Sequence, residues 1–292
     1  MDHAYADVNG VRLHYVTTGR GPLVLFLHGF PEFWYAWTAQ LAEFGRDHRA
    51  VAPDMRGYNL SSKPTDLAAY RVKHLVTDVR ALADHLGATT FALVGHDWGG
   101  VVAWAFALAH PDRLEQLVVV NAPHPAIFER ELVENPAQQK ASRYMLTFRS
   151  AEAESLLAAN DYARMVAMFT QDGAWFTDAD RAEYLVAWSQ PGALTGGLNY
   201  YRAAGVGPPA ADGGPARSFG AEPSRLAVTV PTLVIWGERD RALLPGNLDG
   251  LERFVDDLTI ERVPDGSHWV IHEQPALVNR LIRQFLAGQP AR

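Results

Sequence analysis

Phe91-Ala92-Leu93-Val94-Gly95-His96-Asp97-Trp98-Gly99-Gly100-Val101-Val102-Ala103-Trp104 is the stretch that decides the fold. Phe91 to Val94 is a short apolar run, as expected of a strand buried on both faces. Val101 to Ala109 is small and apolar at helical length. Only Gly95 to Gly100 lies between them, so a strand must turn into a helix within one tight corner. Glycines make that corner possible, because it demands crowded backbone angles and close approach to neighbours. The corner holds Asp97 up at the carboxyl end of a sheet. Taken alone, Asp97 could equally be the N-cap of a helix starting at Trp98.

The pattern Gly-x-Asp-x-Gly resembles the nucleophile elbow of the α/β-hydrolase fold, with aspartate where lipases carry serine. The carboxylate changes the chemistry. A serine attacks a carbonyl. A carboxylate attacks saturated carbon by displacement and becomes an ester itself. Its substrate must therefore carry a leaving group on sp³ carbon, such as an epoxide oxygen or a halide.

Outward from the elbow, the first 121 residues alternate strand and helix. Strands are expected at Val11–Thr18, Leu23–Leu27, Ala50–Ala52 and Leu117–Val120, with a helix over Tyr70–Leu86. That rhythm implies a mostly parallel sheet flanked by helices. It breaks near Pro123. From there to about Leu226 no buried strand is expected, and aromatic-rich helical patterns dominate. A Gly/Pro-rich segment from Gly205 to Pro223 leads back. The rhythm returns with a strand at Val230–Gly237, a helix-like segment over Leu248–Phe254, a strand at Leu258–Val263 and a last helix over Pro275–Leu286. The expected organisation is an α/β core of residues 1–122 and 227–292, split by a helical cap of residues 123–226 with its return loop. A site between core and cap is where pockets tend to form.

The bulk composition fits. The chain has 292 residues, of which 48% are hydrophobic and 20% charged, an ordinary globular balance. A formal charge of −7 and the lack of a basic stripe argue against nucleic-acid or anionic-membrane partners. There is no cysteine, which rules out a disulfide, a thiolate nucleophile or a cysteine-held zinc. Met1 to Asp7 has neither a basic nor an apolar leader pattern. The apolar run after the elbow is too short to span a bilayer. A cytoplasmic protein is the expectation, with monomer and homodimer both open.

An ester on Asp97 must be hydrolysed. That calls for a histidine to activate water and a second carboxylate to orient the imidazole, in the chain order nucleophile, acid, histidine. The acid candidate is Asp240, in Trp236-Gly237-Glu238-Arg239-Asp240, with Glu238 as local rival. The histidine candidate is His268, in the turn Asp265-Gly266-Ser267-His268-Trp269. His268 and His272 are spaced like a helical metal pair, but no third ligand of matching context accompanies them, so neither a metal nor a cofactor is expected. Two backbone N–H groups are candidates for an oxyanion hole, those of Trp98 and of Phe30 in His28-Gly29-Phe30-Pro31. Pro31 has no N–H to give.

His28-Gly29-Phe30-Pro31-Glu32-Phe33-Trp34, Gly95-His96-Asp97-Trp98-Gly99-Gly100, Leu198-Asn199-Tyr200-Tyr201-Arg202 and Gly266-Ser267-His268-Trp269 together resemble the soluble epoxide hydrolase family. The resemblance spans nearly the whole chain and is weakest over the cap. It implies two cap tyrosines that point their hydroxyls at the epoxide oxygen. Tyr201 matches one and Tyr144 the other, with Tyr200 and Tyr162 as their rivals. It also implies a small hydrophobic epoxide and water as reactants. Haloalkane dehalogenases share the Asp-Trp elbow and are the alternative, and a non-catalytic ligand-binding homologue is a further one. Fluoroacetate dehalogenases carry arginines just after the nucleophile. Here those positions are Trp98, Gly99, Gly100 and Val101, which disfavours a small anionic substrate.

Overall fold

A computed structural model describes residues 1–171, 175–209, 215–217 and 226–288. Its centre is an eight-stranded sheet, β1 (Asp2–Val8), β2 (Val11–Thr18), β3 (Leu23–Leu27), β4 (Arg49–Pro53), β5 (Phe91–His96), β6 (Leu114–Val120), β7 (Thr232–Gly237) and β8 (Leu258–Val263). The spatial order is β1-β2-β4-β3-β5-β6-β7-β8. β1 and β2 pair antiparallel, β2 runs antiparallel to β4, and every later neighbour pair is parallel. β3 and β5 are buried along their whole length, which is why they read as unbroken apolar runs.

Alternate residues of these strands feed two cores. Leu23, Leu25, Leu27 and Leu93 face one cluster, with α2 (Val72–His85), α3 (Trp98–Ala109) and residues that lie between β6 and β7 in the chain. Val24, Phe26, Ala92 and Val94 face the other, with α1 (Thr38–Phe44) and α11 (Pro275–Leu286). The period of two along a strand makes this division.

Between β6 and β7 the described residues form α4 (Pro125–Glu134), α5 (Pro136–Ala141), α6 (Tyr144–Arg149), α7 (Ala153–Thr170), α8 (Asp178–Trp188) and α9 (Ala193–Ala204), with no strand among them. α7 is broken at residues 159–162, where Asn160, Asp161 and Tyr162 have positive φ. The short α10 (Val270–Glu273) follows β8. Of the expected return segment, residues 210–214 and 218–225 lie outside the described residues.

Two expectations are corrected, and one strand adds to those expected. The amino-terminal residues, read only for a leader pattern, form β1. It is an edge strand with Ala6 buried and Ala4 and Val8 partly so, an alternation that is faint because two of its three inward residues are alanine. Leu248–Phe254 is not one helix but parts of two 3-10 turns, Pro245–Leu248 and Leu251–Arg253. Gly250, at φ +83°, breaks the chain between them. The helix expected from Tyr70 starts at Val72, after a separate 3-10 turn over Leu67–Tyr70 that Asp66 caps.

Candidate active site

Asp97 sits between β5 and α3 with φ +51° and ψ −123°, a backbone state that L residues rarely hold. The glycines around it answer to packing. A Cβ on Gly99 would strike the carbonyl of Leu27, and one on Gly95 would strike the backbone of Gly99. A Cβ on Gly29 would strike the Asp97 carboxylate itself. The Asp97 side chain makes no capping bond to α3, so the N-cap reading fails. Its Oδ1 instead accepts the Phe30 N–H at 2.7 Å. Trp98 follows as the buried first residue of α3.

His268 lies in the loop after β8, with Nε2 3.6 Å from Asp97 Oδ2. Its Nδ1 is 2.6 Å from Asp240 Oδ2, so the proton on Nδ1 is donated to that carboxylate. Asp240 follows β7 and is buried. Its Oδ1 accepts the N–H groups of Ala242 and Leu243 at 2.8 and 2.9 Å. Burial alone would depress the His268 pKa. The charge and hydrogen bond of Asp240, with Asp97 adding, push it well above the ordinary histidine value instead. Burial would likewise raise Asp240, but the imidazole and the donors around it hold it below the usual carboxylate value. The rival Glu238 is partly exposed and pairs with Arg262 at 2.9 Å.

Tyr144 and Tyr201 meet above Asp97, their ring centroids 6.3 Å apart. With Asp97, Trp98, Val101, Pro123, Met145 and Leu243 they line one small cavity, with free space for about one water molecule. Tyr201 packs edge-on against Trp98 at 5.1 Å. Burial, and then the charge of Asp97, drives both phenol pKa values well above 10. Both therefore keep their protons at neutral pH and can donate. The rival tyrosines are occupied elsewhere. Tyr200 donates to the Arg56 carbonyl at 2.8 Å, and Tyr162 to that of Trp188 at 3.3 Å.

Two groups beside the site escaped the sequence reading. Glu32 is buried and meets His96 Nδ1 at 3.1 Å, His272 Nε2 at 2.6 Å and the Tyr184 hydroxyl at 2.9 Å. Burial would raise its pKa, but the two histidines overcome this and hold it far below the carboxylate range. His96 Nε2 in turn holds the His268 carbonyl at 2.8 Å. The second group is Asn121, at the end of β6 and touching Asp240. Its signal was an amide residue directly after the buried run Leu117–Val120. Among the described residues no group of three or more His, Asp or Glu side chains is arranged to hold a metal ion. No described helix is long and apolar enough to cross a membrane.

A strand-to-helix elbow that presents a carboxylate at the carboxyl edge of a parallel sheet, with acid and histidine on later loops, is an α/β-hydrolase arrangement. The α/β hydrolase fold family matches residues 22–275. The chain is 37% identical to mouse (Mus musculus) epoxide hydrolase 4, over 99% of this chain and 81% of that protein. It is 38% identical to the AB hydrolase superfamily protein YfhM of Bacillus subtilis, over 98% of each. The crystal structure of a Bacillus megaterium epoxide hydrolase in complex with an inhibitor superposes with a TM-score of 0.90. There the identity is 36%, over 97% of this chain and all of that one. The chain belongs to the epoxide hydrolase family of α/β-hydrolase enzymes.

Proposed function

We propose that the protein hydrolyses epoxides to vicinal diols through an ester formed on Asp97. The observation that carries this reading is the single cavity shared by Asp97, Tyr144 and Tyr201. A carboxylate on one side and two protonated phenols on the other suit a substrate that is attacked at carbon while its oxygen gains a proton.

The two Asp97 oxygens differ. Oδ1 is held by the Phe30 N–H, while Oδ2 faces His268 beyond hydrogen-bond length. Oδ2 is the attacking atom. Tyr144 and Tyr201 bind the epoxide oxygen, Oδ2 displaces it from a ring carbon, and one phenol protonates the alkoxide as it forms. Without that proton the alkoxide is a poor leaving group.

Esterification removes the Asp97 charge that helps to raise the His268 pKa. The imidazole then sheds its proton more easily and becomes a base for water. Asp240 keeps it oriented. Water loses a proton to His268 and attacks the ester carbonyl. Negative charge develops on Oδ1, where the Phe30 N–H already points, and the Trp98 N–H serves as second donor. Collapse releases the diol and restores Asp97. Protons return to the phenol through His268 and solvent, so the sum is epoxide plus water. No cofactor or metal enters.

Styrene oxide and 1-bromobutane offered in parallel test this reading. Diol without bromide supports it. Bromide without diol would instead make the enzyme a haloalkane dehalogenase and leave the tyrosines as packing residues.

A further inference from the structure

We propose that Asn121 is a positioning residue for the second half of the reaction, setting through Asp240 how readily His268 acts as a base. The inference rests on the ester mechanism above and extends it to a residue outside the triad.

Asn121 directly follows β6, has φ +40° and is fully buried. Its carboxamide faces Gly237 as one peptide faces another. Oδ1 accepts the Gly237 N–H at 2.9 Å, and Nδ2 donates to the Gly237 carbonyl at 3.2 Å. That two-way pairing allows only one orientation of the amide, because a flip would set donor against donor. The same NH₂ group is thereby turned toward Asp240 and donates to Oδ2 at 2.9 Å. Oδ2 is also the atom that receives the His268 Nδ1–H.

Each oxygen of Asp240 thus has two donors. Ala242 and Leu243 N–H hold Oδ1, and Asn121 and His268 hold Oδ2. Asn121 does two things in this arrangement. It fixes the carboxylate plane, so that Oδ2 meets Nδ1 rather than swinging away. It also shares the negative charge on Oδ2, which would otherwise fall wholly on the imidazole. Since β6 and β7 are parallel neighbours, the link joins the ends of two sheet strands and has little freedom to relax.

Other titratable groups face His268 and stay in place when Asn121 is changed. They are Asp97 at the elbow, and His96 at 4.8 Å between ring centroids with Glu32 behind it. From the cap, Tyr144 is protonated and sits near both carboxylates. A change at residue 121 reaches His268 through Asp240, and also through Gly237, which packs against Gly266 and Ser267 just before the histidine.

Pre-steady-state kinetics with styrene oxide separate ester formation from ester hydrolysis. Asn121→Ala removes the donor. Asn121→Leu keeps the bulk and removes both the donor to Asp240 and the acceptor for Gly237 N–H. Both should slow hydrolysis by about tenfold or more, the loss typical of a hydrogen bond to a charged group. Ester formation should stay within about threefold of the parent rate. Both variants strengthen the negative field on His268, so the acid limb of hydrolysis should move to higher pH by roughly one unit. Should Asn121→Ala fail to fold, Asn121→Leu carries the test alone. Hydrolysis at the parent rate with an unmoved limb would overturn the proposal. So would equal slowing of both steps, which is what general loosening of the site would produce. If the parent enzyme forms no ester at all, the underlying mechanism has failed rather than the role of Asn121.

Discussion

His268 Nε2 stands 3.6 Å from Asp97 Oδ2, outside an ordinary hydrogen bond, while its Nδ1 is tightly held by Asp240 at 2.6 Å. The imidazole is thus anchored on the far side from the carboxylate it serves. Removing His268 should spare ester formation and stop hydrolysis. In His268→Gln, intact-mass spectrometry after incubation with an epoxide should find the protein heavier by one substrate molecule, mapped to the peptide containing Asp97. In Asp97→Ala neither the adduct nor turnover should be detectable. An adduct on another residue would remove Asp97 from its role.

The tyrosines should act on the first step only. Tyr144→Phe and Tyr201→Phe each remove one proton donor and leave the ring packing intact. Each should slow ester formation by about a hundredfold, the usual cost of losing one donor to a developing oxyanion. The double variant should be nearly inactive. Stopped-flow tryptophan fluorescence can follow the step, since Trp98 packs against Tyr201 beside Asp97. If both single variants formed ester at the parent rate, the phenols would be packing residues.

Gly29 should tolerate nothing larger. An added Cβ meets the Asp97 carboxylate directly, and Phe30, the donor to Oδ1, is the next residue. Gly29→Ala is expected to cost about 1–3 kcal/mol of stability from overpacking. It should lose most activity through displacement of Asp97. Urea unfolding and diol formation, measured on the same sample, check both.

Much of this arrangement was legible in the chain, and the boundary has physical reasons. The elbow could be read because its requirements are local. Two apolar runs and a corner crowded by Leu27 force glycines at fixed spacing. Asp240 could be placed because it closely follows the fully buried β7, and His268 because it stands last in the chain order, in a glycine-containing turn after the partly buried β8. Glu32 and Asn121 could not be read in the same way. Their partners lie far off in sequence, His272 for one and Gly237 and Asp240 for the other. The buried run Leu117–Val120 marks the position of Asn121, but nothing local says which distant group such a side chain meets. β1 was missed for a related reason. Its inward residues Ala4, Ala6 and Val8 alternate, but two of them are alanine, so the apolar trace is faint.

His124 makes the fold acid-sensitive where the helices between β6 and β7 begin. It caps α4, accepting the Ala126 N–H on Nδ1, and its Nε2–H donates to the Leu226 carbonyl at 3.1 Å. The two segments that leave and re-enter the core are thereby clipped together. Burial lowers its pKa to about 4, against the hydrogen bond to Leu226, which raises it. The folded state thus resists protonation that the unfolded chain accepts near pH 6.5. Stability from this group is complete above pH 6.5 and falls as pH drops toward 4, by roughly 3 kcal/mol at most. In His124→Asn, which keeps a cap but cannot titrate, the loss of unfolding free energy between pH 6.5 and 4 should shrink. An unchanged slope would assign the acid sensitivity to other groups.

The covalent ester on Asp97 is the centre of the account, and one single-turnover experiment in H₂¹⁸O addresses it. Enzyme in excess over styrene oxide is allowed one turnover, then digested and analysed by mass spectrometry beside the diol. If water attacks the ester carbonyl, the heavy oxygen is found in the peptide carrying Asp97, and the diol from that first turnover is unlabelled. If water attacks the epoxide directly, with Asp97 only a base, the diol carries the label, Asp97 stays light, and the ester mechanism is contradicted.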